Sequence, residues 1–185
     1  MKNNIVLALT KGRILKESLP LLANAGVEPA EPIDTTRKLL LATNHEDIKL
    51  AILRGVDVPT YVKYGVADLG IVGKDILLEY GSEGFYEAVD LGIACCRLVT
   101  AGVANMVPEV GTLRVATKFV NITRDYFGRK GRQIDIVKLY GALELAPLMD
   151  LSDVIVDLVD TGSTLRANGL IPFEEILEIS SRLIV

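Results

Sequence analysis

The chain has 185 residues, half of them apolar and 24% charged, with a formal net charge of −4. That length allows one domain or two small ones with a good core. No apolar run approaches the roughly 18 to 20 residues that cross a bilayer, and the acidic balance argues against the basic face that nonspecific nucleic-acid binding needs.

The N-terminus, Met1-Lys-Asn-Asn4 followed by the short apolar run Ile5 to Leu9, lacks the length and cleavage pattern of a signal peptide, so the expected compartment is the cytoplasm. Ile5 to Leu9 reads as the first strand. Ile14, Leu15, Leu19 and Leu22 then form a helical apolar stripe that Gly26 can end, with Pro20 removing one donor and able to bend it. Strands follow at Leu39 to Thr43 and Ile48 to Leu53. Asp57 with Pro59 starts a helix carrying Val62, and the strand Leu69 to Val72 ends at Gly73 and Asp75, where another helix begins. Further strands are expected at Arg97 to Gly102, Arg114 to Thr117, Asp135 to Leu139, Val154 to Val156 and Glu175 to Ile179, with Asn121 capping a helix that runs to Gly128. This alternation predicts an α/β fold with a largely parallel sheet.

Several chemistries lack their parts. Cys95 and Cys96 are adjacent, point to opposite faces in a strand and read as buried small hydrophobes. His45, the single histidine, sits among polar residues in what reads as a solvated turn. Zinc hydrolysis and Cys-His nucleophilic catalysis therefore have no candidates. Cations, by contrast, recur where strands end: Lys11 and Arg13 after the first strand, Arg54 after Ile48 to Leu53. In open α/β sheets ligands bind outside the carboxyl ends of the strands, so these positions can converge on a small polyanion.

The stretch Val154 to Gly169 carries the most chemistry. A β-branched run reaches an acid at Asp157, and a hydroxyl-rich loop, Thr161 to Thr164, opens a short helix closed by Asn168-Gly169. Helix-start amides carry partial positive charge, Gly162 lets the backbone come close, and Thr161, Ser163 and Thr164 add hydroxyl donors. With the acid available to sugar hydroxyls, this reads as a cradle for a phosphorylated ribose. The alternative is an ordinary strand-to-helix junction capped by Thr161.

The same segment, with Glu144-Leu-Ala-Pro147, Ser152, Ile155, Asp157-Leu158 and Thr161-Gly-Ser-Thr-Leu165, resembles the signature of the ATP phosphoribosyltransferase family. Asp150 departs from it, standing where the family usually has glycine. The resemblance extends through Lys11-Gly-Arg-Ile-Leu15, Asp57-Val-Pro-Thr-Tyr-Val62, Ala67-Asp-Leu-Gly-Ile-Val-Gly-Lys-Asp75, Arg114-Val-Ala-Thr-Lys118 and Asn121-Ile-Thr-Arg124. It implies a two-lobed fold like type II periplasmic binding proteins with the ligand site in the interdomain cleft, the first lobe being 1–91 plus 180–185 and the second 92–179. The length resembles the short form, which lacks a C-terminal regulatory domain, although even short forms usually continue through another helix beyond Val185.

The implied reaction joins ATP, through adenine N1, to phosphoribosyl pyrophosphate in the first step of histidine biosynthesis, with Mg2+ on the substrate phosphates and no dedicated protein metal site. By motif position Asp157 and Thr161 to Thr164 hold ribose and 5-phosphate. Lys11, Arg13 and Arg54 are the candidates for the polyphosphates, and Arg37 for the leaving pyrophosphate, reaching it from a neighbouring subunit. Gly73 and Asp75 are candidates for ATP, and Glu144 for a ligand hydroxyl. A homodimer assembling with a histidyl-tRNA-synthetase-like regulatory subunit is implied, without nucleic acid or membrane. Two other readings remain open: a non-catalytic solute-binding or effector-sensing module on the same fold, and a nucleobase salvage phosphoribosyltransferase.

Overall fold

The computed structural model describes residues 4–34, 36–81, 83–105 and 110–185. Contacts divide the chain into two compact units, Met1–Cys95 with Ser180–Val185, and Cys96–Ile179.

The first unit begins with β1 (Ile5–Thr10), α1 (Arg13–Asn24), β2 (Leu40–Ala42) and β3 (Ile48–Leu53). A single 3-10 turn, Gly55–Asp57, leads into α2 (Val58–Lys63), then β4 (Leu69–Gly73), α3 (Lys74–Tyr80) and β5 (Glu87–Asp90). The second unit holds β6 (Cys96–Gly102), β7 (Leu113–Thr117), α4 (Val120–Arg129), β8 (Ile134–Lys138), α5 (Leu145–Leu148), β9 (Val154–Val159), α6 (Ser163–Ala167) and β10 (Ile171–Ile179). The last strand, β11 (Ser181–Ile184), belongs to the first unit.

In the first unit the strand order is β2-β3-β1-β4-β11-β5. β1 runs parallel to both β3 and β4, and the alternation along it sorts its side chains by face. Leu7 and Leu9 join Leu41, Leu50, Ile52 and Ile71 under Ile14, Leu15 and Leu22 of α1. Ala8 faces the other way, with Val58 and Val62 of α2, Val72, Leu77 and Ile184. Helix α2 lies so close to the sheet that a Cβ on Gly70 would stand 2.7 Å from Val58 Cγ1.

The second sheet has the order β10-β6-β9-β7-β8. One face packs Leu98, Val115, Val154 and Val156 against Phe119, Ile122 and Phe127 of the α4 region. The other packs Val99, Ala116 and Ile155 against Leu143, Ala146 and Leu165 around α5 and α6.

The sheets are not largely parallel. The first has a parallel centre, β3-β1-β4, with β2 antiparallel on one side and β11 and β5 joined by antiparallel pairings on the other; the second has parallel β9, β7 and β8, with antiparallel pairings to β6 and β10 on one side only. Strand β11 enters beside β4 antiparallel, and Arg182 fastens the β5 edge through ion pairs with Asp90 and Glu87. Neither β5, exposed along its length, nor β11 has an apolar run long enough to read as a strand. β10 starts at Ile171, ahead of the expected Glu175, because its edge position tolerates Pro172 and two irregularities in its pairing with β6 absorb the mismatch.

Local differences also have causes. The cap of α4 is Phe119, not Asn121, and the buried Thr117 hydroxyl accepts the Phe119 N–H at 2.9 Å. Pro20 lies inside α1 without ending it. Cys95 is exposed, since it precedes β6 instead of lying within it, and Cys96 is half-buried. His45 is exposed, with Nε2 2.9 Å from the Gly26 carbonyl. Among the described residues no helix is long and apolar enough to cross a membrane.

Candidate active site

In the second unit β7 and β9 are parallel neighbours whose last paired residues are Thr117 and Val156. Asp157 and Lys118 therefore come next, side by side, where β7 ends. The Thr117 hydroxyl, wholly buried, donates to the Val156 carbonyl at 2.8 Å and locks this register. β9 continues to Val159, so Asp157 stands inside the strand and not at its end as the sequence suggests. Pairing with Val99 of β6 carries the strand past the point where β7 stops.

The Asp157 carboxylate accepts from the Leu158 N–H at 2.8 Å and lies 3.5 Å from Lys118 Nζ. Burial pushes its pKa up, against the lowering effect of Lys118 and the Leu158 amide, and Glu144 adds a smaller upward push. Beyond the strand the chain turns through Thr161 and Gly162, the latter in the left-handed region at φ 72°. An added Cβ at Gly162 would be strained there and would stand 3.1 Å from Arg166 Nη1, which donates to the Thr161 carbonyl at 3.0 Å and closes the turn. Gly162 occupies the position before α6, while Thr161 Oγ1 accepts the N–H of Ser163, the first helical residue, at 3.4 Å and donates to Ser163 Oγ at 3.1 Å.

Glu144, Asp157, Asp160 and Thr161 to Thr164 line one cavity of about 340 Å³. The structure thus brings together all the sequence candidates assigned to ribose and 5-phosphate. Amides at the start of α6 lack intrahelical acceptors, and with the hydroxyls of Thr161, Ser163 and Thr164 they offer hydrogen-bond donors to an anion. Glu144, Asp157 and Asp160, lining the same cavity, offer acceptors to hydroxyls. The arrangement suits a ligand with a phosphate at one end and a diol at the other.

The cationic candidates lie in the first unit. Thr10 and Leu53 are the last paired residues of β1 and β3, so Lys11 and Arg54 follow the carboxyl ends of adjacent parallel strands. Lys11 and Arg37 share a second cavity, about 690 Å³, together with Lys16 and Lys38. Arg54 is exposed at the start of the 3-10 turn and does not line that cavity. Arg13 binds Glu17 one turn along α1 at 2.7 Å, so a ligand must compete with that pair.

Gly73 is the cap of α3, and Asp75, buried, lies one residue into the helix. Its carboxylate folds back to the space a Gly73 side chain would need. That geometry makes Asp75 a first-turn acid of α3, not its cap.

Lys118, Asp160, Lys16 and Lys38 are absent from the sequence candidates. Lys118 was findable: it is the first residue after an apolar strand, the same signal that singles out Lys11 and Arg54.

A sequence model described as ATP phosphoribosyltransferase matches residues 54–185. The ATP phosphoribosyltransferase of Halorhodospira halophila is 59% identical over 185 residues, which is the whole of this chain and 86% of that protein. The chain belongs to the ATP phosphoribosyltransferase family. A solved relative in the family, an ATP phosphoribosyl transferase (HisG:HisZ) complex from Thermotoga maritima, superposes with a TM-score of 0.83 at 37% identity, covering 98% of this chain and 87% of its own. Outside the family, the substrate binding protein of an amino acid ABC transporter shares the two-lobed fold at a TM-score of 0.57 and 13% identity, covering 98% of this chain and 84% of its own. That last likeness concerns the fold alone.

Proposed function

We propose that this chain joins ATP to phosphoribosyl pyrophosphate, forming N1-(5-phosphoribosyl)-ATP and pyrophosphate, the first step of histidine biosynthesis. Family membership supports the reaction, and the observation that carries the site is the cavity shared by Asp157, Glu144 and the Thr161 to Thr164 loop. Adenine N1 attacks C1 of the ribose with its own lone pair, the C1–O bond to pyrophosphate breaks, and the leaving group takes that bond's electrons. Adenine N1 needs no strong base, so a chain whose single histidine lies in an exposed turn can perform the step.

In this reading the Thr161 to Thr164 loop holds the 5-phosphate, and Asp157 with Glu144 accepts from ribose hydroxyls. Lys11, Arg37 and Arg54 stabilise the departing pyrophosphate, Arg37 acting from the neighbouring subunit of a homodimer. Arg13 meets the polyphosphates once it releases Glu17, and Gly73 and Asp75 border ATP. Mg2+, when bound, offsets phosphate charge. The ion would ride on the substrate phosphates and keep several waters. The enzyme works in the cytoplasm with a histidyl-tRNA-synthetase-like regulatory subunit; the Thermotoga maritima complex supports a second protein.

The test follows the ultraviolet absorbance of phosphoribosyl-ATP with purified chain, both substrates, Mg2+ and pyrophosphatase, alone and with the regulatory subunit. Product is expected with ATP and not with free purines. No product under either condition, from folded protein, removes the assignment.

A further inference from the structure

We propose that Lys118 is a positioning residue for this reaction, aiming the Asp157 carboxylate at the ribose hydroxyls of phosphoribosyl pyrophosphate; the inference rests on the cradle reading above. Four contacts place it. Thr117, immediately before it, donates to Val156 and accepts from Phe119, which fixes the backbone on both sides of Lys118. Phe119 is itself buried, and the Lys118 ammonium lies 4.8 Å from its ring centroid, so the side chain rests against a buried aromatic ring. From there Nζ stands 3.5 Å from Asp157 Oδ1.

The need for such a cation follows from the surroundings of Asp157. It is mostly buried, and Glu144 and Asp160 line its cavity. On the neighbouring β6 the nearest cation, Arg97, pairs with Glu175, leaving Lys118 as the cation that faces Asp157 among the described residues. A protonated Asp157 would lose acceptor capacity toward a diol. Lys118 opposes protonation and, by drawing Oδ1 toward itself while the Leu158 amide also binds Oδ1, leaves Oδ2 for the ligand.

The experiment is calorimetric titration of the full chain with phosphoribosyl pyrophosphate and Mg2+ from pH 5 to 8, for the native protein, Lys118→Met, Lys118→Arg and the pair in an Asp157→Asn background. Protonation of the ligand is common to all and cancels in the ratios. Lys118→Met is expected to move the acid limb of binding up by roughly one to two pH units, the usual effect of removing a cation beside a carboxylate. Lys118→Arg should restore it, and in the Asp157→Asn background Met and Lys should give parallel profiles. Superposition of Lys118→Met on the native curve overturns the proposal. A difference that persists in the Asp157→Asn background overturns it too, since Lys118 would then act on the ligand itself. Failure of the native chain to bind at all instead removes the cradle reading on which the proposal stands.

Discussion

The segments that follow carboxyl ends of parallel strands carry contrasting chemistry in the two units of this protein. After β9 the chain presents amides, hydroxyls and acids around a small cavity, with Lys118 beside them. After β1 and β3 it presents Lys11 and Arg54, and the larger cavity beside β1 adds Arg37, Lys16 and Lys38. The same backbone geometry therefore serves two tasks. In the proposed reading, neutral donors and carboxylates select a sugar phosphate by shape, whereas long cationic side chains meet charge that grows on a leaving group. Differential stabilisation belongs to the second kind of site, ground-state positioning to the first.

The largest expected effect tests that division. Arg54→Ala should lower turnover by about a hundredfold to a thousandfold, as the loss of a preorganised charge contact commonly does. Because Arg54 is exposed, the melting temperature should barely move; turnover equal to the native enzyme's would take Arg54 out of the site.

Asp157→Asn should act more weakly and in a different parameter. Loss of charge-assisted acceptors for the ribose should reduce kcat/KM by about tenfold to a hundredfold, mainly through KM for phosphoribosyl pyrophosphate. Burial raises the Asp157 carboxyl above its ordinary value, so near neutral pH its ionised form costs the folded state stability. The ligand-free variant should accordingly melt higher than the native protein in calorimetry. A lower melting temperature would make Asp157 a structural anchor and erase the contrast with Arg54.

A third variant addresses the turn that feeds β9. Arg114 donates to the Asp150 carbonyl at 2.7 Å and to Asp153 through both its guanidinium and its backbone N–H, each at 2.7 Å. Burial pushes the Asp153 carboxyl up, but the Arg114 bonds outweigh it and hold the group below the usual range. A depressed folded pKa contributes stability above the unfolded value, near 4, and loses it as pH falls through the folded one. Arg114→Met should therefore unfold at higher pH in an acid titration followed by circular dichroism. Coincident acid transitions would show that the pair contributes nothing.

The smallest effect is a gain. Asp150 sits at φ 55°, a conformation that costs a side chain energy and glycine none. Asp150→Gly should stabilise the fold by about 0.5 kcal/mol after the added chain entropy is counted, with activity unchanged. Destabilisation would mean that the aspartate side chain itself holds the turn.

That position shows how much a sequence conveys. The glycine usual in the family at 150 would suit a left-handed turn, and the chain makes that turn with aspartate, its carbonyl accepting from Arg114. Nine of the strands and the turn at Thr161 to Thr164 were legible because apolar runs and turn residues are local signals. β5 and β11 were not, since an exposed four-residue strand and a short mixed one owe their existence to the strands beside them. Lys118 was visible as a cation after a strand, yet its partner was not, because Asp157 is 39 residues away and only the β7-β9 register makes them neighbours.

By itself, then, the sequence determined the alternation of elements, the placing of its single histidine in a polar turn, and the hydroxyl-rich loop proposed to hold phosphate, all of which depend on residue types at short spacing. Tertiary structure alone decided that antiparallel pairings enter both sheets, that Lys11 and Arg37 share a cavity while Arg54 stands outside it, and that Asp157 lies half-buried beside Lys118. These depend on which distant segments pair and in what register, and local propensity carries no record of that choice.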